Sequence, residues 1–384
     1  MRIGFRHLRR DERGMTFVFV GVGFMAFMAA TTLAIDVGMF MTARSQAQNA
    51  ADAGAHAGAV ALVFNSYDDR SASGPAVQSA LSAAGANKVI HADVSVTSAD
   101  VTFPNGPGGV NNRVKATVYR TTDRNNAIPT LIGPLFGVPT VNIMATATAE
   151  ASPANAATCV KPFMIPDKWQ ETQTPVWDPN DTFEMFDNMG NPLANPDIYV
   201  PADQPGYSGY NALDDLGTLL TIRAGTGNNI NPSMYFSWKM PGDTGGDFYR
   251  DNIHNCNTSV VHWRDLIVLE PGNMVGPTNQ GIDLLIAKDP GAYWDTVCNC
   301  VKGSAYGVSP RTVPIPLYDP VYYATGKANG RAADFRVANW LGFFVVDRQG
   351  NDVSGRITPV GGVIDNNAGP APAGAIPKVI RLVE

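Results

Sequence analysis

The stretch MTFVFVGVGFMAFMAATTLAI, residues 15–35, runs for 21 residues without a charged side chain, and Asp36 closes it. As an α-helix it measures about 31 Å, close to the roughly 30 Å hydrocarbon thickness of a bilayer. A secretory signal peptide has a shorter apolar core, of roughly 7–15 residues, before a small-residue cleavage site. The sequence therefore predicts a retained membrane anchor, with a cleaved signal peptide as the alternative.

The charge on either side of this run predicts its orientation. Residues 1–14 form a basic head of net charge +3, whereas the remaining 370 residues sum to −9. By the positive-inside rule, the N-terminus is cytoplasmic and residues 36–384 are exported from the bacterial inner membrane, into the periplasm or envelope. The net charge of −6 and the lack of a basic tract after the anchor exclude a general nucleic-acid partner.

The helical pattern continues beyond the apolar run. Residues 36–64, DVGMFMTARSQAQNAADAGAHAGAVALVF, contain no proline, so a continuous helix over residues 15–64 would be about 75 Å long. Two rows of mostly small side chains recur four residues apart: Ala43, Ala47, Ala51, Ala55, Ala59 and Val63, and Ala50, Gly54, Gly58 and Leu62. Small side chains permit close approach of another backbone. These rows pack either on the protein's own globular part or on a partner helix.

The pattern of these residues resembles the N-terminal segment of the Tad/Flp pilus-assembly proteins, the TadG-like family. The positions that carry the resemblance are Gly14, Asp36, Gly38, Arg44, Ala47, Gln48, Ala51, Asp52, Gly54 and Gly58. Residues 130–149 also look like the family's L-x-x-x-F-G motif followed by an alternating strand. The resemblance implies a non-catalytic role in type IVc-like pilus assembly or secretion, without a cofactor. It implies pilin-like subunits or assembly-platform proteins as partners.

The junction at Gly14 offers a further alternative, processing as a prepilin. The residues RRDERG before Met15 resemble a prepilin leader. A type IV pilin carries glutamate at the fifth residue after the cut, where this chain has Phe19. The absent glutamate favours a retained anchor over assembly into the filament.

The exported part predicts an α+β fold in two units. Residues 65–150 read as a small α/β unit with a helix from Pro75 and strands at 89–96, 113–120 and 141–147, in the order β-α-β-β. The apolar residues 130–138 are expected to form a buried crossover, and residues 151–158 a small-residue linker. Residues 159–384 predict a mainly-β domain with long loops, a hairpin turning at 349–352 and one buried helix at 278–287. A single continuous α+β domain is the alternative.

Four cysteines, Cys159, Cys256, Cys298 and Cys300, lie on the exported side, where disulfides form. Cysteines two residues apart seldom meet the geometry of a disulfide. We therefore expect Cys159 and Cys256 to pair with the other two cysteines. The alternative is a zinc site, although the spacing fits no usual zinc knuckle; its ligands would be His254, Cys256, His262, Cys298 and Cys300.

Other motifs are weaker. Asp243, Asp247 and Asp251, and separately residues 187–191, could form calcium loops but lack the terminal glutamate of an EF-hand. No nucleophile elbow or nucleotide-binding motif occurs, which leaves an unrecognised hydrolase a remote third hypothesis. The six tryptophans are core anchors of a β domain or line a carbohydrate groove; they are Trp169, Trp177, Trp238, Trp263, Trp294 and Trp340. The groove supports the alternative function, an envelope-exposed adhesin or glycan-binding module tethered by its helix.

Overall fold

The computed structural model describes residues 13–64, 69–106, 112–174, 176–187, 189–211, 214–225, 229–328 and 334–383. The helices are α1 (Arg13–Phe64), α2 (Pro75–Gly85), α3 (Gly246–His254), α4 (Val275–Lys288) and α5 (Pro320–Ala328). The first strands are β1 (Lys88–Val89), β2 (Ala92–Asp93), β3 (Val101–Thr102), β4 (Arg113–Arg120), β5 (Ile128–Pro129), β6 (Thr140–Val141), β7 (Ile143–Pro153), β8 (Ala156–Ala157), β9 (Phe163–Pro166) and β10 (Leu219–Ala224). The later strands are β11 (Met234–Ser237), β12 (Val261–His262), β13 (Leu266–Val268), β14 (Tyr293–Asp295), β15 (Cys300–Lys302), β16 (Thr312–Tyr318), β17 (Asp334–Gln349), β18 (Asp352–Thr358) and β19 (Lys378–Leu382). The fold class is α+β, as predicted.

A four-stranded antiparallel sheet forms the first part of the fold beyond the apolar run, in the order β19-β7-β4-β3. Every second residue of β4 is buried, including Val114, Ala116 and Val118, because alternate side chains of a strand point to the same face. Helices α1 and α2 pack against this apolar face. The predicted helix from Pro75 and the predicted strand 113–120 are confirmed, and the strand expected at 141–147 lies mostly within β7.

Several local predictions for this part are wrong. The strand expected at 89–96 is a tight hairpin of β1 and β2, because Ile90 and His91 turn the chain with φ of 46° and 63°. The order β-α-β-β is wrong because α2 precedes all the strands, and the described residues between α1 and α2 contain none. The expected linker at 151–158 is instead the end of β7 followed by β8, which pairs with β12.

A closed six-stranded barrel forms the second part. Strands β17, β16, β9, β11, β10 and β18 pair in that order, and β18 pairs back to β17 to close the ring. The pairs β16–β9 and β11–β10 are parallel, and the other four are antiparallel. The long strand β17 pairs with three strands, because its 16 residues extend beyond the end of each neighbour. Two of these neighbours belong to the barrel, and the third, β13, lies outside the closed ring.

Within the barrel part, the hairpin at 349–352 is confirmed, with Gln349 opposite Asp352. The buried helix expected at 278–287 is confirmed as α4, which packs on α3. Helices α3 and α5 were not predicted from the sequence. Both are only nine residues long, too short for the helical period to stand out among glycine and aspartate.

The chain crosses between the two parts twice. It leaves the first sheet through β7, and β19 returns to pair with the same strand, from Lys378 opposite Pro153 to Leu382 opposite Ala149. The barrel is therefore inserted between two neighbouring strands of the sheet. The division into two separate units near residue 150 stays a prediction.

Candidate functional site

Helix α1 changes its surroundings at Asp36. The described residues contain one helix long and apolar enough to cross a bilayer; its most apolar 18-residue window has a mean hydropathy of 2.1 and is 0% buried. Phe17 and Met25, for example, are 81% and 72% exposed. After Asp36 the same helix enters the core of the sheet domain. One continuous helix therefore supplies both a candidate membrane span and a core element of the fold.

Asp36 joins this helix to a distant loop. Its side chain is only 2% exposed, and its two carboxylate oxygens accept hydrogen bonds from the backbone N–H groups of Leu131 (2.8 Å) and Ile132 (3.0 Å). Hydrogen bonds to a carboxylate are among the stronger ones in proteins. The aspartate of the family pattern thus fixes the loop that follows β5 to the point where the apolar run ends.

Gln48 and Asp52 form a second connection. The Gln48 side-chain amide donates to the Asp52 carboxylate (2.9 Å) and to the carbonyl of Thr146 in β7 (3.1 Å). Gln46 was not predicted from the sequence as a site residue; its side-chain oxygen accepts from the backbone N–H of Ile90 at 2.8 Å and so holds the β1–β2 turn. A glutamine beside the alanine row was the only signal for it.

The two rows of small side chains pack on the protein's own domain. Ala47 and Ala51 are at most 1% exposed. A Cβ atom at Gly54 would lie 3.1 Å from the Cβ of Ala84 in α2, and one at Gly58 would lie 2.8 Å from a methyl group of Val114 in β4. The structure thus decides between the two sequence hypotheses, and the packing of these rows on a partner helix is wrong.

The other residues of the family pattern stand apart from this interface. A Cβ atom at Gly14 or Gly38 would have no heavy atom within 4 Å. Arg44 is exposed and lines a groove of about 340 Å³ together with Phe40 and Met144. The structure gives no contact that explains the two glycines, so their roles remain predictions from the resemblance.

The cysteines pair differently from the expectation. The disulfides are Cys159–Cys256, with a Cα–Cα distance of 4.3 Å, and Cys298–Cys300, with 5.2 Å. The pairing expected from the sequence is wrong because Asn299 adopts a φ of 47° at the end of the β14–β15 hairpin. That left-handed residue shortens the separation of the two cysteine Cα atoms to 5.2 Å, within the range of a disulfide.

The candidate metal ligands have other partners. All four cysteines are in disulfides, and the Nε2 atom of His262 lies 2.9 Å from a carboxylate oxygen of Asp365. That hydrogen bond raises the pKa of His262 above its usual value. Asp247 and Asp251 both pair with Arg250 on α3. Across the described ranges, no group of three or more His, Cys, Asp or Glu side chains is placed to hold a metal ion. The zinc and calcium hypotheses therefore gain no support, and residue 188 of the second calcium candidate lies outside the described residues.

A buried carboxylate network lies at the end of β9. Asp167 is 0% exposed and accepts hydrogen bonds from the hydroxyls of Tyr199 (2.9 Å) and Tyr207 (2.8 Å). The backbone N–H groups of Lys168 and Tyr210 also donate to it. Burial raises the pKa of Asp167 to about 6, against the opposing effect of these hydrogen bonds. With no exposed surface, this carboxylate holds the segment around residues 199–210 on the barrel.

The tryptophans are core residues. Trp169, Trp238 and Trp340 are at most 1% exposed, and the indole N–H of Trp238 donates to the carbonyl of Lys161 (2.8 Å). The other three are half-buried. Three of the six tryptophans are therefore buried core residues, as one of the two sequence alternatives predicts, and Trp263 lines a groove together with Asp203 and Arg264.

Comparison with known proteins agrees with the resemblance read from the sequence. Residues 14–61 match the family model described as "Putative Flp pilus-assembly TadE/G-like". The matched segment contains the apolar run, Asp36 and both rows of small side chains except their last members, Leu62 and Val63. No curated protein matches the chain, and no solved structure matches it. Residues 62–384, with α2, the sheet and the barrel, lie outside the family match.

Proposed function

We propose that this protein is a non-catalytic, single-pass component of the bacterial inner membrane that supports assembly of, or secretion through, a Tad/Flp-type pilus. The family match over residues 14–61 supports the pilus-related role. The observation that carries the mechanism is the continuity of α1, which is uninterrupted from Arg13 to Phe64. Because one helix is both the proposed span and part of the core, the exported fold cannot move independently of the span.

The orientation is part of the proposal. The basic residues 1–14 support a cytoplasmic N-terminus by the positive-inside rule. Two disulfides beyond the span agree with export of the sheet and barrel, since disulfides persist in oxidising compartments. The acidic body then lies on the envelope side.

The partners proposed are pilin-like subunits or proteins of the assembly platform. The small-residue rows after Asp36 are occupied by the protein's own sheet and α2. Contacts with partners therefore fall to the exposed span and to the outer surfaces of the sheet and the barrel. In this mechanism a contact made within the membrane is transmitted rigidly to the envelope side.

The test is deletion of the gene in its host, with surface pili counted by electron microscopy. Full-length protein supplied from a plasmid should restore the pili. A matched variant carries an unrelated apolar span of equal length in place of residues 15–35, with Asp36 and everything after it unchanged. We expect this variant to be stable in the membrane and to fail in assembly.

Two outcomes would argue against the proposal. Unchanged pilus number and length after deletion would remove the assembly role and favour the tethered adhesin, which a surface-binding assay of the deletion strain would then examine. Full restoration by the variant with the foreign span would reduce residues 15–35 to a tether and place all partner contacts on the exported fold.

A further inference from the structure

A second apolar surface lies beside the proposed span. We call residues 130–139 the apolar loop. The sequence predicted a buried crossover over residues 130–138, and that prediction is wrong: Leu131 is 62%, Leu135 82%, Phe136 75% and Val138 48% exposed. Only Ile132 turns inward, at 7% exposure. The loop therefore presents four large apolar side chains that no described part of the chain covers.

The position of the loop follows from the contacts that α1 makes with β7 and with the loop itself. Toward the N-terminus of α1, Gln48 contacts Thr146, Arg44 lines a groove with Met144, and Asp36 binds the backbone of the apolar loop. The loop is therefore at the end of the sheet nearest the span. It lies at the level of Asp36, where the uncharged run of α1 ends.

The chemistry of the loop suits a nonpolar environment. No charged residue occurs between Arg124 and Glu150. Backbone groups in contact with lipid must find partners within the protein, and here Pro134 and Pro139 have no N–H group to satisfy. The amides that donate hydrogen bonds to Asp36 or to carbonyls of the loop itself are those of Thr130, Leu131, Ile132, Leu135, Gly137 and Val138.

The compact shape of the loop explains how these backbone N–H groups find hydrogen-bond acceptors within the protein. A short 3₁₀ helix, Gly133–Phe136, ends at Gly137, whose φ of 76° reverses the chain. The hydroxyl of Thr130 donates to the carbonyl of Val138 at 2.7 Å and closes the base of the loop. The side chains of Leu135 and Phe136 are thereby left exposed at the tip of the loop.

We propose that the apolar loop inserts into the leaflet that faces the exported fold, as a second attachment to the bilayer that residues 15–35 cross. This inference rests on the proposed membrane span. The bilayer is the occupant because the exposed apolar surface of the loop continues that of α1 at the level where the span ends. The exposed Arg44, about 12 Å farther along the helix axis, is placed to reach lipid phosphates, as long basic side chains do at membrane surfaces. Anchored at two points, the exported fold is held at a fixed height and rotation.

Photocrosslinking in producing cells tests this. The photoreactive residue p-benzoylphenylalanine replaces Leu135 in the full-length protein, and adducts are identified by mass spectrometry after irradiation. Replacement of Phe24, within the span, is the positive control. Replacement of Val297, which is 95% exposed on the barrel side, is the negative control. Mapping of the Cys159–Cys256 disulfide verifies that each variant is folded.

The expected result is a phospholipid adduct at positions 24 and 135 and none at 297. A lipid adduct at 24 without one at 135 would overturn the loop inference and leave the span intact. A protein adduct in place of lipid at 135 would also overturn it, in favour of a protein partner. Absence of lipid at both 24 and 135 would refute the span on which both proposals rest. Lipid at 297 as well would overturn the assignment, since contact would then not depend on position.

Discussion

Replacement of Gly58 by leucine tests whether the small-residue face of α1 is part of the protein's own core. A Cβ atom at this position would lie 2.8 Å from a methyl group of Val114 and 3.2 Å from both the carbonyl oxygen of Ala76 and the Cβ of Ala80. Two of these three neighbours are a backbone atom and an alanine methyl, which cannot rotate away. The remaining leucine carbons have no space without separation of α1 from α2 and β4.

The expected cost follows from two opposing effects. Overpacking a core destabilises by about 1–3 kcal/mol, and leucine in place of glycine regains up to about 1 kcal/mol of helix propensity. A net loss of about 1–2 kcal/mol would speed hydrogen exchange of protected amides about 5- to 30-fold. Native-state hydrogen exchange of α2 in the detergent-solubilised full-length protein measures this directly.

Gly38→Leu is the matched control, because a Cβ atom there would meet nothing within 4 Å. It should leave exchange in α2 unchanged or slightly slower. Wild-type protection of α2 in the Gly58→Leu variant, together with loss of pili, would refute the assignment of this face of α1 to the protein's own core. That result would return the small-residue face to a partner helix.

Three further predictions concern other parts of the fold. Asp36→Ala should speed hydrogen exchange of the amides in the apolar loop, since it removes two hydrogen bonds to a charged group, worth about 1.5–3 kcal/mol each. The control Asp52→Ala should leave this exchange unchanged. Equal protection of the loop in both variants would show that Asp36 does not hold the loop to α1. Replacing Cys159 and Cys256 by serine should lower the free energy of unfolding, measured in urea, by about 4–5 kcal/mol, because this disulfide closes a separation of 97 residues. Removing the disulfide of the β14–β15 hairpin should lower it by only about 2 kcal/mol, because that loop is short. Equal losses in the two variants would speak against this pairing of the cysteines. Burial lowers the pKa of Lys161 to about 7 from 10.5. Between these pH values the unfolded chain binds more protons than the folded one, so the free energy of unfolding should rise with pH across that window. Lys161→Met should flatten this rise, and an unchanged pH profile in the variant would show that the ammonium group is not desolvated.

The sequence predicted those features that depend on local periodicity. The uncharged run and the proline-free segment after it specify α1 as one helix. Alternation in residues 113–120 specifies β4, including which of its side chains are buried. The burial of Ala47 and Ala51 was foreseeable as one of two alternatives, because the row itself is visible but its occupant is not.

The wrong predictions have a common physical origin. The sequence shows that a side chain is apolar or small, but it does not show which other part of the protein, or which surrounding medium, that side chain contacts. The apolar loop reads as core by composition, yet the hydrogen bonds of Asp36 hold it outward. The Cys298–Cys300 disulfide depends on a left-handed residue, Asn299, which a spacing rule does not include. Closure of the barrel requires β18 to pair with β10 and β16 to pair with β9, each more than a hundred residues earlier, and no local pattern encodes those pairings.

The double crossing between the sheet and the barrel has a mechanical consequence. Because β7 leaves the sheet at the same end at which β19 enters it, a force that pulls the barrel along the strand direction loads both strands together. Since β19 is then pulled together with β7, it is the hydrogen bonds of β7 to β4 that bear the load in shear, all at once, instead of opening one after another as in a peeled strand. Through Gln48 and the alanine row the same load reaches α1, so tension applied at the barrel is carried into the helix that contains the apolar run without a flexible joint between them.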